Sequence, residues 1–237
     1  DWQGLEHRGN KMRYWKLTDK ENKTQGGTQW GVGITHKAKG EGKSLCSADV
    51  IHVYDHPLKA VMFNPIHAAF AYPHLWEVEV KKVVAHDDFK GGVKQATTIK
   101  QVSLPSITVN QRVRFALYCA LAVYKEKTFV SWANNWLVGG DRSKTAASAA
   151  ATVACASEAA HAAARAAIWA ATPTAWAATE AASAATPTAW AATEAASAAA
   201  TAAWAAIWAA SAAAIKPLDF VTLIKKAIQE EVEPCGK

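Results

Sequence analysis

Arg13, His52, Tyr54 and Glu79 are the residues in this chain whose types would suit a ligand site. A fixed cation, a titratable imidazole, an aromatic hydroxyl and a carboxylate together hold a nucleotide or another small polar molecule by charge, stacking and hydrogen bonds. Each lies in a segment that reads as a strand, so a sheet has to bring them together. Glu77 stands two residues before Glu79, about 7 Å away on one strand face, and the pair reads as a solvated edge. His52, His56, His67 and His74 crowd near Cys46 and Asp55. His52 and His56 have the i,i+4 spacing of a helical metal pair. Pro57, however, opens a helix just after His56, so the two fall on either side of a strand–helix junction and no metal or other cofactor is expected. The glycines from Gly26 to Gly42 contain neither GxGxxG nor GxxxxGK[ST], and turns with tight packing are preferred over a phosphate cradle. GxSxG and HExxH are also missing from the sequence.

The elements that would carry these residues follow from periodicity. Arg13–Leu17 alternates weakly, and Trp30–Thr35 alternates apolar with small residues. Ala48–Tyr54 is a good strand, Thr97–Leu104 a shorter one. Leu75–Val84 is the cleanest: Trp76, Val78 and Val80 face one way, Glu77, Glu79 and Lys81 the other. Asp55-His56-Pro57 reads as a helix cap followed by proline at the first helical position, with a short helix Leu58–Phe63 stopped at Asn64-Pro65. From Thr108 the period changes. Thr108 and Gln111 form a capping box, and Val113, Leu117, Ala120, Leu121 and Tyr124 make a helical stripe. A second helix over Thr128–Leu137 carries Phe129, Trp132, Ala133 and Trp136 and ends at Gly139-Gly140.

Behind Thr145 the composition changes abruptly. Ten heptads run from Ser148 to about Pro217, mostly alanine, and Ala171–Ala184 is repeated letter for letter as Ala185–Ala198. Alanine favours helix over strand. Thr172-Pro173 and Thr186-Pro187 read as cap and first helical residue, so short packed helices are preferred over one kinked helix. Trp169, Trp176, Trp190, Trp204 and Trp208 are the expected packing anchors, because tryptophan buries the largest area per residue. Pro217–Val232 is an amphipathic helix striped by Phe220, Leu223, Ile224 and Ile228, placed to cap the array. The expected fold class is α+β: a small mixed α/β domain over 13–140, behind a short extension over 1–12. An all-α alanine-rich array of seven- and fourteen-residue repeats over 145–215 and a C-terminal capping helix over 216–237 would follow it.

The 237 residues carry a net charge of +6, and the positive surplus lies entirely before residue 145. Scattered lysines on a soluble domain explain it; nucleic-acid binding is the weaker alternative. Four well-separated cysteines without a CxxC point to a reducing compartment and a cytoplasmic location. No segment has the apolar weight of a membrane span.

Thr24–Gly31, Ser44–Val61, His74–Val80 and Gln111–Tyr124 together resemble a domain of unknown function from phage and bacterial proteins, whose relatives append alanine-rich arrays. That resemblance implies a phage or mobile-element context in the host cytoplasm, and no activity. The expected function is a non-catalytic one, in which the Ala/Trp array mediates packing, homo-oligomerisation or contact with a protein partner. Two alternatives stand beside it. Arg13, His52, Tyr54 and Glu79 distantly resemble an ADP-ribosyltransferase site with no motif complete, which implies a nucleotide-binding, degenerate transferase-like domain. The column Thr172, Thr179, Thr186 and Thr193 resembles the type I fish antifreeze proteins, which implies ice binding; but a seven-residue column drifts about 20° per heptad on a straight helix.

Overall fold

The computed structural model of the chain describes residues 12–45, 47–123, 125–140, 146 and 218–230. These fall into two compact units divided between Ser106 and Ile107.

The first unit is built from antiparallel strands. β1 (Met12–Thr18) pairs along its whole length with β6 (His74–Val80), and β6 pairs with β9 (Gln95–Val102). β4 (Thr35–Lys37) adds to the far side of β9, giving the order β1-β6-β9-β4. A second sheet has the order β5-β8-β7, from Ile51–Val53, Gly91–Val93 and Val83–His86. The two sheets are joined where Trp15 and Tyr54 exchange backbone hydrogen bonds of 2.8 and 2.7 Å. A small hairpin of β2 (Lys23–Thr24) and β3 (Thr28–Gln29) closes over a turn whose Gly26 and Gly27 have φ of 79° and 75°, which glycine adopts without strain. Asp19 starts the β1–β2 turn by accepting from the amides of Glu21 and Lys23, and Asp87 does the same for Phe89 and Lys90 before β8.

Alternation places one apolar face of these strands together. Trp30, Val53, Trp76, Val78, Val80, Val93 and Ala96 form a buried cluster, with Met12, Tyr14, Ile51 and Val83 against it. Helix α1 (Pro57–His67) contributes the fully buried Met62 and Phe63, and Phe63 meets Phe89 edge to face. Its start is as the sequence predicts: His56 is the cap, and its Nδ1 accepts from the Leu58 amide. Its end is not, because the helix continues through Asn64-Pro65 to His67. Proline's fixed φ is compatible with a helix, although past the first turn it removes one hydrogen bond and crowds the carbonyl four residues earlier. The Asn64 side chain then holds the exit, bonding both the amide and the carbonyl of Phe70.

β8 is central in its sheet, and the sequence reading missed it because two of its residues are glycine. Gly92 is there for space: a Cβ would lie 2.8 Å from Val50 Cγ2 and 3.0 Å from Leu45 Cδ2. Gly92→Ala should therefore destabilise the protein by about 1–3 kcal/mol through overpacking. A urea denaturation midpoint equal to that of the parent would contradict this packing.

The second unit contains α2 (Val109–Val123), α3 (Lys127–Leu137) and α4 (Phe220–Gln229). The capping box exists as read, with the Thr108 amide donating to Gln111 Oε1 and the Gln111 amide to Thr108 Oγ1. The single stripe predicted for α2 is too narrow, since every residue from Val113 to Ala120 is buried. α4 packs on α2, with Phe220 against Phe115 and the Lys226 ammonium 4.3 Å over the Tyr118 ring.

The expected fold class needs correction. The described residues hold four helices and antiparallel sheets, and no all-α repeat array is seen among them. Residues 145–215, including Trp169, Trp176, Trp190, Trp204 and Trp208, lie outside the described residues apart from Ala146. Recurrent alanine carries helix propensity, but short helices need an apolar partner face to be stable, and a heptad count does not supply one. Among the described residues, no helix is long and apolar enough to cross a membrane.

Candidate functional site

β1 sends a lysine where its register calls for an apolar residue. Met12, Tyr14, Lys16 and Thr18 are the Cα partners of Val80, Val78, Trp76 and His74, and these side chains share one face. Lys16 is accordingly only 7 % exposed. Its ammonium donates to the His52 carbonyl at 3.0 Å and sits 4.8 Å from the centre of the Trp30 ring. Among the described residues no carboxylate pairs with it. Removal from water lowers its pKa to about 8. The other buried lysine of this unit, Lys90, lies 3.9 Å from Asp87, and the half-buried Lys59 lies 2.9 Å from Asp55.

Lys16, Thr24, Gln25 and His52 form a wall shared by two cavities. The larger, about 550 Å³, also meets Trp30, His36, Lys37, Lys39 and Ser47, and among the described residues no aspartate or glutamate lines it. Its size is that of a small-molecule site. Trp30 is fixed in its wall, since its indole N–H donates to Thr24 Oγ1 at 3.1 Å and its ring meets His36 at 4.5 Å. The smaller cavity, about 90 Å³, is lined by Tyr54 and His67 as well as by the shared wall.

Two histidines border these spaces as neutral rings. His52 Nε2 donates to the Leu45 carbonyl, which leaves Nδ1 without the proton. Burial lowers its pKa, and the nearby Lys90 and Lys16 charges add to that. His67 is pushed down to about 4, first by burial and then by Lys90. Its Nδ1 lies 3.0 Å from the Tyr54 hydroxyl, and its buried Nε2 has no hydrogen-bond partner among the described residues. Burial raises the Tyr54 pKa, so the hydroxyl keeps its proton at physiological pH. Tyr54→Phe should cost about 1–3 kcal/mol in urea denaturation, because it strands a buried ring nitrogen. His67→Leu in that background should recover part of the loss, and simple additivity of the two changes would argue against a coupled pair.

Of the residues singled out by sequence, His52 and Tyr54 both line the small cavity. Arg13 and Glu79 line neither cavity. They are Cα partners across β1 and β6, and the Arg13 guanidinium bonds Glu77 at 3.0 Å. Glu77 is no solvated edge residue. β6 lies between β1 and β9, Glu77 is buried, and Lys100 approaches it from the other side at 3.6 Å. His52 and His56 do not share a helix: His52 is in β5 and His56 caps α1. Among the described residues no three His, Cys, Asp or Glu side chains are grouped as a metal site would need. Lys16 itself went unread, although the signal was present. Its charge is what makes the alternation of Arg13–Leu17 weak, and a charged residue in phase with the buried positions of a strand is the mark of a site.

The chain matches no known family model, no curated protein and no solved structure. The chemistry of the cavity is therefore the guide to function.

Proposed function

We propose that the unit before Ser106 is a binding domain for a small phosphorylated molecule, with Lys16 as its buried anchor. One observation carries this reading: a cavity of about 550 Å³ has Lys16, Lys37 and Lys39 in its walls and, among the described residues, no carboxylate. Burying an ammonium without a counter-charge is unfavourable, and an anionic ligand is what would relieve it. A phosphate suits the site better than a single carboxylate. It brings more than one charge, and its several oxygens can accept from Lys16, from Lys37 and Lys39 nearer solvent, and from the hydroxyl of Thr24. The buried Trp30 ring is already engaged by Lys16 and His36, so the recognition is of the anion and not of a stacked base.

The test is calorimetric titration of the full chain with inorganic pyrophosphate and with a nucleoside diphosphate at low and moderate salt. Saturable binding is expected, weakening as salt is added. The double variant Lys37→Gln/Lys39→Gln should bind on the order of tenfold more weakly, through loss of two charges from the wall. No heat and no thermal shift with either ligand would overturn the reading. Undiminished affinity in the double variant would overturn the location.

A further inference from the structure

We infer that Lys16 is also a covalent site, whose ε-amine condenses with the carbonyl group of a phosphate-bearing aldehyde or ketone to form an imine. This rests on the phosphate-binding reading and adds a reaction to it: where the ligand also carries a carbonyl, its phosphate lies with Lys37 and Lys39 and the Lys16 amine meets the carbonyl.

The placement of the amine carries the argument. Lys16 stands in the wall common to both cavities, and its Nζ lies between the His52 carbonyl and the Trp30 ring, two residues that line the larger one. Among the described residues its one acceptor is the His52 carbonyl, 3.0 Å away. That bond and the Trp30 ring 4.8 Å away fix the amine without occupying its other positions. The remaining lysines of the unit's interior are differently engaged. Lys59 and Lys90 have carboxylate partners, and Lys94 donates to the carbonyls of Gly40, Gly42 and Asp49. With a pKa of about 8, Lys16 at pH 7 has a neutral fraction on the order of a hundred times that of an ordinary lysine. A desolvated, partly neutral amine is the form that attacks carbonyls.

The step balances without a further reactant. The Nζ lone pair attacks the carbonyl carbon, a C–N bond forms, and the oxygen takes up a proton to give a carbinolamine. Loss of that oxygen as water leaves C=N, and both hydrogens of the original amine depart in the water. The small cavity of about 90 Å³ has room for a departing water. Its Tyr54 hydroxyl and His67 ring are the proton-carrying groups that face it.

The experiment uses the full chain and pyridoxal 5′-phosphate as the probe, trapped with borohydride and located by peptide mass mapping. Pyridoxal, which lacks the phosphate, and pyridoxine 5′-phosphate, which lacks the aldehyde, are run beside it. A dominant adduct on Lys16 is expected, half-maximal near pH 8. It should be much weaker with pyridoxal, blocked by pyridoxine 5′-phosphate, and absent in Lys16→Arg. Adducts spread over exposed lysines such as Lys37 and Lys39, with Lys16 unmodified, would overturn the proposal. The parent chain alone decides this, so a variant that fails to fold leaves the result intact. If pyridoxine 5′-phosphate binds calorimetrically but Lys16 is never labelled, the imine is wrong and the phosphate site stands. If it neither binds nor protects, both fall.

Discussion

Lys16→Met should make the protein more stable at neutral pH while abolishing its affinity for phosphate. The two effects have one cause. The Lys16 pKa falls from 10.5 to about 8 on folding, so folding taxes the charged form. A depression of that size corresponds to about 3 kcal/mol. Below pH 8 the group is charged in both folded and unfolded chains, and the penalty is present in full. Between pH 8 and 10.5 the unfolded chain binds the proton more tightly, so stability rises with pH. Above 10.5 both states are neutral and the penalty is gone. Methionine has a similar length and no charge to desolvate. Against this gain stands the lost hydrogen bond to the His52 carbonyl, about 1 kcal/mol. The net gain should be about 1–2 kcal/mol at pH 7.

The measurement is urea denaturation of parent and variant from pH 6 to 10.5, with phosphate titrations at pH 7. The variant's advantage should be constant to about pH 8 and then shrink as the parent loses its charge. A lysine kept for structure would behave in the opposite way: the variant would be less stable, with a gap that does not close at high pH. That outcome would remove the functional reading of Lys16 whatever the phosphate titration gave. Stability given up at a single position, and recovered on substitution, is characteristic of binding sites.

How much of this was legible in the sequence depends on the range of the interaction involved. Local signals were readable. The His56-Pro57 start of α1, the Thr108/Gln111 box of α2 and the alternation of Trp76, Val78 and Val80 each depend on neighbours within a few residues, and each is found. Where strands pair was not readable. Register puts Lys16 opposite Trp76 and buries Glu77 between Arg13 and Lys100. Nothing in the local sequence tells an inner strand from an edge, so Glu77 read as solvated and Arg13 as available. The same limit explains why two of the four candidate residues come together and two do not. His52 in β5 and Tyr54 just beyond its end are two apart in extended backbone, and both reach the small cavity. Arg13 and Glu79 meet across a different pair of strands. β8 was missed because glycine has low strand propensity, and its reason for being glycine, the approach of Val50 and Leu45, is again non-local.

Lys94→Met should loosen the loop between β4 and β5 and weaken phosphate binding on the order of tenfold, with only a modest change in global stability. The connection from β4 to β5 runs from the first sheet to the second, and its Lys39, Ser47 and Ala48 wall the large cavity. Ordering such a segment has an entropic cost that few apolar contacts offset. Its backbone is drawn together where the amides of Lys39 and Gly40 both donate to the Ala48 carbonyl. Lys94 completes the closure, donating to the carbonyls of Gly40 at 2.9 Å and Asp49 at 2.7 Å, and to that of Gly42. A charged donor gives each such bond about 1.5–3 kcal/mol, though bonds sharing one nitrogen do not add. Gly40 lets the loop close, since a Cβ there would lie 3.0 Å from the Asp49 Cα and 3.1 Å from its backbone nitrogen. Without Lys94 the loop can open while the sheets stay formed, so the loss is local. Hydrogen exchange should therefore show the amides of 39 and 40 exchanging at least tenfold faster while those of β6 and β9 are unchanged. Lys94→Arg should not rescue, because a guanidinium spreads its donors over a fork where this site converges on one nitrogen. Unaltered exchange in the loop together with unaltered phosphate affinity would mean that the wall of the cavity holds itself, and that Lys94 serves only the surface.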